Sequence, residues 1–306
     1  MHIVIIGTGG VGGYFGAKLA KANHKVTFVA RGAHLAAMQT NGLIIKSIQG
    51  DFELKNITAT DNITSIQNPD LVLVTTKAEQ VKEVAEDISK IINSETMVIP
   101  LQNGVLAADE LGEYVPTSNI VPGLCQIISK IEAPGVINHF GIDPLIIIGE
   151  TSNEISARIK KVQKCFLEAG IQLKISKNIK EDLWRKFILI CVGGLIALCR
   201  CTYGQVRAIS ETRKMMRAVM QEGLAVSKAV GLDIEPAFIE NRMQFIDSFP
   251  YEATSSLCRD IWAGKPSEIG SKNGAIVELG KQYRVSTPVN TFICQALMPQ
   301  ENKARN

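Results

Sequence analysis

The residues Gly7-Thr8-Gly9-Gly10-Val11-Gly12 carry the spacing G-x-G-x-x-G, which lets a backbone bind a pyrophosphate. Gly7 suits the tight turn, Gly9 the close approach of chain to phosphate, and Gly12 the packing of a helix on a sheet. The helix that opens behind this loop presents N–H groups and the positive end of its dipole to an anion. Further on, where an NAD enzyme usually carries an acid for the ribose hydroxyls, stand Arg31 and Gly32. A guanidinium can hold a 2′-phosphate through two parallel hydrogen bonds, whereas a carboxylate would repel it. The pair predicts NADP(H) as cofactor, against the bland reading of a solvated loop arginine.

Three more residues have chemistry to offer. Lys77 ends the apolar run 70–76, and Asn103 follows the run 97–99. Ligands of open parallel sheets bind outside the carboxyl ends of the strands, so both are expected to face the cofactor. Lys186 sits at the edge of an apolar stripe made by Leu183, Phe187, Ile190 and Gly194. Partial loss of solvent lowers an ammonium's pKa and makes it a better proton donor near neutral pH. A lysine that merely snorkels to water gives the same pattern.

Holding these residues requires an α/β architecture. The run 3–6, a helix to Asn23 and the run 26–30 form a strand-helix-strand unit. Runs 43–48 and 51–57 around Gln49-Gly50 predict a hairpin. A buried strand over 70–76, a helix over 79–92 and a strand over 97–99 follow, then strands within 120–131, 135–140 and 145–149. A helix over 156–169 leads to 171–175, which is expected to close the sheet. From Asn178, a candidate cap with Glu181 three residues on, the pattern turns helical over 179–200, 211–230, 235–247, 255–263, 268–283 and 289–298. The reading is a Rossmann-type dinucleotide-binding domain over 1–176 and an all-helical substrate and catalytic domain over 177–306, with 300–306 as a frayed tail.

Composition excludes several classes. The 306 residues are 46% hydrophobic and 21% charged, with a net charge of +3 and no run of membrane-spanning length. Scattered basic residues give no footprint for nucleic acid. Seven irregularly spaced cysteines argue for thiols and against a disulfide framework, and Cys199-Arg200-Cys201 lacks the partners of a metal site. The chain enters a strand at once, without the segments of an export signal, so a cytoplasmic location is expected. A homodimer stays open.

In this order, Gly7 to Gly12, Val29-Ala30-Arg31-Gly32, Thr76-Lys77-Ala78, Gln102-Asn103-Gly104 and Leu183-Trp184-Arg185-Lys186 resemble the ketopantoate reductase family, the NADPH-dependent 2-dehydropantoate 2-reductases of pantothenate synthesis. Ser255 to Asp260, Gly264 to Ile269 and Asn273-Gly274 continue the resemblance to the far end of the chain. It implies reduction of a 2-oxoacid, with Lys186 as the general acid for the keto oxygen and Glu268 as a second catalytic residue that holds the substrate hydroxyl. It further implies that Ser256 binds the substrate carboxylate and that Asn103 and Lys77 line cofactor and keto group. From position alone, Glu268 is an acid in a first helical turn after Pro266, and Ser256 a helix N-cap.

Ile190, Gly194 and Ala253 stand where family members typically carry asparagines. Losing those amides removes donors for a polar substrate, and Gly194 is expected to open space in the wall. A less polar or bulkier 2-oxoacid therefore competes with ketopantoate. Two rival functions compete with the reductase itself. One is a related 3-hydroxyacid dehydrogenase, which the block Gly264 to Glu268 disfavours, and the other is an inactive NADP(H)-binding sensor.

Overall fold

The computed structural model describes residues 1–306, which divide into two compact units: Met1–Gln102 with Leu106–Ile179, and Asn103–Val105 with Lys180–Asn306. The first unit opens with β1 (His2–Ile6), α1 (Gly10–Lys21), β2 (Lys25–Val29) and α2 (Gly32–Asn41). Short strands β3 (Leu43–Ser47), β4 (Phe52–Leu54) and β5 (Thr58–Thr60) precede β6 (Leu71–Val74), α3 (Val81–Ile91), β7 (Met97–Pro100) and α4 (Ala107–Leu111). It ends with β8 (Gly123–Gln126), β9 (Ser129–Ala133), β10 (Val136–His139), β11 (Leu145–Ile148), α5 (Ala157–Glu168) and β12 (Gln172–Ile175).

The main sheet runs β5-β2-β1-β6-β7, every pair parallel. Side chains alternate across a strand, and here both faces are buried, as all-parallel sheets require. Ile3, Ile5, Leu71, Leu73 and Phe28 belong to one core cluster. Val4, Ile6, Val72, Val74 and Val29 belong to another. This is why β1 and β6 read as unbroken apolar runs.

The expectation that 171–175 closes this sheet is corrected. β12 instead pairs parallel with β11, which pairs antiparallel with β8 in a separate three-stranded sheet. The run 120–131 splits into β8 and β9, and β9 joins β10, β3 and β4 in a four-stranded sheet. The expected hairpin forms between β3 and β4, but β4 stops at Leu54 and the next residues supply β5 to the main sheet.

The second unit contains α6 (Ile179–Cys199), α7 (Tyr203–Ala208), α8 (Ser210–Ala229), α9 (Phe238–Asp247) and α10 (Ser256–Trp262). A π-turn over Gly270–Gly274 runs into α11 (Ala275–Tyr283), and α12 (Pro288–Arg305) follows. The frayed tail is also corrected. α12 continues to Arg305 because Glu301, 5% exposed, accepts from the Ser267 N–H and from Ser267 Oγ at 2.6 Å. Arg305 closes the arrangement with an ion pair to Glu301 at 2.7 Å and a bond to the Ser267 carbonyl at 3.2 Å.

Candidate active site

In the first unit, three strand ends meet around a cleft of about 290 Å³. The ends of β1, β2 and β6 supply Gly7 to Gly9, Ala30 with Arg31, and Thr75 to Lys77. β1 lies between β2 and β6, the switch point where an open parallel sheet takes its ligand. Gly7 has φ +92°, and a Cβ there would stand 2.8 Å from the Thr76 nitrogen. Both facts demand glycine. Around Gly9 a Cβ would meet nothing within 4 Å, which leaves room for a ligand beside the backbone.

Gly12 serves packing, as its place in the motif predicts. A Cβ would fall 2.2 Å from Thr75 Oγ1 and 2.5 Å from the Gly7 carbonyl oxygen. Thr75 Oγ1 donates to that carbonyl at 2.8 Å, and Thr8 Oγ1 donates to the Val29 carbonyl at 3.0 Å. These bonds tie the glycine loop to the neighbouring strand ends. Gly10 and Val11 form the first turn of α1, where Val11 packs its side chain on the core and has only backbone to offer a phosphate. Gln102 Nε2 donates to the carbonyls of Val74 and Thr76 at 3.0 and 3.2 Å, fixing the strand end from which Lys77 leaves.

Arg31 is exposed at the rim of this cleft, one residue before α2. His34, which sequence reasoning missed, lines the same cleft. Its Nδ1 accepts from the Gly135 N–H at 3.0 Å, and burial lowers its pKa, so the ring is neutral with its proton on Nε2. A histidine early in a helix gives no signal of such a place.

The second unit collects a different set. Lys186 is half-buried on α6, between the buried Trp184 and Phe187. Asn103, expected at a strand end with Lys77, belongs to this unit and donates from Nδ2 to Glu268 Oε2 at 3.2 Å. Two residues singled out separately, 165 positions apart, thus share a hydrogen bond. Glu268 lies just before the π-turn, a geometry concentrated at functional sites.

Lys272 was not anticipated. Its Nζ stands 3.1 Å from Glu268 Oε2, and its side chain is 2% exposed. A lysine four residues after a glutamate ordinarily marks a solvated helix pair, so nothing in the sequence distinguished it.

Two expectations are revised. The cap of α10 is Ser255, whose Oγ accepts from the Cys258 N–H at 3.1 Å, while Ser256 is exposed at the next position. The cap role therefore does not fall to Ser256. Nor does Gly194 open space, since a Cβ there would lie 2.3 Å from Asn273 Oδ1 and 2.9 Å from Ile293 Cγ2. The carboxamide of Asn273 fills the volume, held by donation to the Cys191 carbonyl at 2.9 Å and to Asn290 Oδ1 at 2.8 Å. At Ala253, the third departure, the carbonyl accepts from the Tyr203 N–H at 2.9 Å and the side chain carries no donor.

Two family models match the chain: ketopantoate reductase PanE/ApbA over residues 3–153, and its C-terminal counterpart over 178–301. An uncharacterised oxidoreductase, YkpB of Bacillus subtilis, is 28% identical, with 94% of this chain and 95% of that protein covered. Among solved structures, a PanE/ApbA family ketopantoate reductase from Ralstonia eutropha JMP134 superposes with a TM-score of 0.91 at 28% identity, covering 100% of both chains. A D-mandelate dehydrogenase bound to NADH and anilino(oxo)acetate superposes at 0.90 and 25% identity, covering 100% of this chain and 99% of that one.

Proposed function

This chain belongs to the ketopantoate reductase family, and on that premise we propose that it reduces a 2-oxoacid to the 2-hydroxy acid, with 2-dehydropantoate as the first substrate to test. It is an oxidoreductase acting on CH–OH groups, and NADPH is the family's cofactor. Bound there, the cofactor supplies the hydride. The residues of this chain bind, orient and move the proton. Gly7, Thr8, Gly9, Gly10, Val11 and Gly12 receive the pyrophosphate, Arg31 the 2′-phosphate, and Lys77 and Asn103 the nicotinamide end. Ser256 and Asn103 orient the acid, Glu268 accepts from its hydroxyl, and Lys186 protonates the keto oxygen as negative charge builds on it.

The observation that supports this reading best is the bond between Asn103 and Glu268, because it unites two residues assigned to substrate. Reduction of 2-dehydropantoate would put the enzyme in pantothenate synthesis and in the cytoplasm. No helix is long and apolar enough to cross a membrane. A second reading, a less polar 2-oxoacid, is favoured by Ile190 in place of an amide and by the likeness to a mandelate dehydrogenase. NADPH oxidation with a panel of 2-oxoacids, ranked by kcat/KM, tests both. Turnover of at least one acid is expected, and NADPH binding without turnover of any would make the protein a sensor.

A further inference from the structure

Lys272 is placed where lysines are seldom found. Its side chain is 2% exposed, and it belongs to the π-turn, not to a solvated helix face. The turn is clamped by Asn273, itself fully buried, which bonds the Cys191 carbonyl on α6 and Asn290 on α12. Asn290 Nδ2 in turn donates to Glu222 on α8 at 2.6 Å. The lysine therefore has little freedom to swing toward water.

A buried ammonium needs a compensating negative charge. Cys191 on α6 and Cys258 on α10 both feel the charge of Lys272, yet burial pushes both thiols up, so they are neutral near pH 7. The carboxylate at 3.1 Å is that of Glu268. Glu268 is less enclosed, at 13% side-chain exposure, so of the two groups the acid is the more accessible. Lys272 Nζ and Asn103 Nδ2 approach the same oxygen, Oε2, at 3.1 and 3.2 Å. Two donors on one oxygen hold that oxygen in place.

We propose that Lys272 is a positioning residue for the reduction: its buried ammonium fixes Glu268 as an oriented carboxylate, which accepts from the substrate and leaves proton donation to Lys186. This rests on the substrate role given to Glu268 above. With a single permanent acceptor in place, a hydroxyl on the substrate has one defined partner, and the keto oxygen meets its acid in one orientation. Lys272 acts through Glu268 and need not touch the substrate.

The test compares wild type, Lys272→Met, Lys272→Gln, Glu268→Gln and the two double variants, all as full-length protein. Both Lys272 variants should lose about 20-fold or more in kcat with the preferred 2-oxoacid, while KM for NADPH stays within about twofold. In the Glu268→Gln background the same replacements should cost less than about threefold, because residues acting as a unit are not additive. Glu268→Gln alone strands the ammonium, so the double variants should melt at a higher temperature than Glu268→Gln. The Gln replacement carries the comparison if Met does not fold, and the melting comparison needs no turnover. Activity of a Lys272 variant within about threefold of wild type, or an equal loss in the Glu268→Gln background, overturns this inference alone. A wild type that turns over no 2-oxoacid overturns it together with the role of Glu268.

Discussion

Under the proposed function, Arg31 is the residue on which cofactor choice turns. It is exposed at the rim of the glycine-loop cleft, where water weakens a lone charge but does not prevent a bidentate grip on a phosphate. Arg31→Ala should weaken NADPH binding by roughly 10-fold or more and leave NADH nearly unchanged, since the two differ only in the 2′-phosphate. Titration of nucleotide fluorescence with each cofactor reads this directly, and equal affinity of wild type for both would contradict it. At this scale, legibility followed how local the physics is. Gly7 and Gly12 could be read because a tight turn and a close packing contact each demand one residue type. Lys272 and His34 could not. Their roles depend on what surrounds them, and a Glu-Lys pair at i,i+4 has the same sequence whether it is solvated or buried.

Among the elements, the contact of α6 with the π-turn shows how a departure from the family pattern is absorbed. Glycine at 194 lets the amide of Asn273 lie against the helix and bond the Cys191 carbonyl. Restoring asparagine there should therefore not restore a substrate amide. Gly194→Asn is expected to lower the melting temperature, with a loss of about 1–3 kcal/mol or more from overpacking, measured by thermal or urea unfolding. An unchanged melting temperature together with improved turnover of 2-dehydropantoate would show the wall to be open after all. Local patterns predicted β1, α1, β2, β6 and β7 well, because strand and helix periods were clean there. α7 was missed although Thr202 and Gln205 form a capping box, with bonds of 3.2 and 2.8 Å. The signature was present, but one and a half turns offer too short a periodic run to register. Sheet membership was the least legible property, since β12 and β5 carry no mark of which sheet they join. The end of α12 was misread because its anchor, Glu301 on Ser267, bridges residues 34 apart.

At the scale of the whole molecule, the residues of the proposed reaction fall in both units. The cofactor cleft is lined wholly by residues of the first, whereas Lys186, Asn103, Glu268 and Lys272 belong to the second. Under the proposed function the cofactor supplies the hydride and Lys186 the proton. The measurement that tests this most directly follows deuterium from C4-labelled NADPH into product for wild type and Lys186→Ala, alongside NADPH affinity. Wild type should place the label at C2 of the 2-hydroxy acid, and the variant should react about 100-fold or more slowly with NADPH affinity unchanged. Label that never reaches a 2-oxoacid, or equal rates for the two proteins, would contradict it.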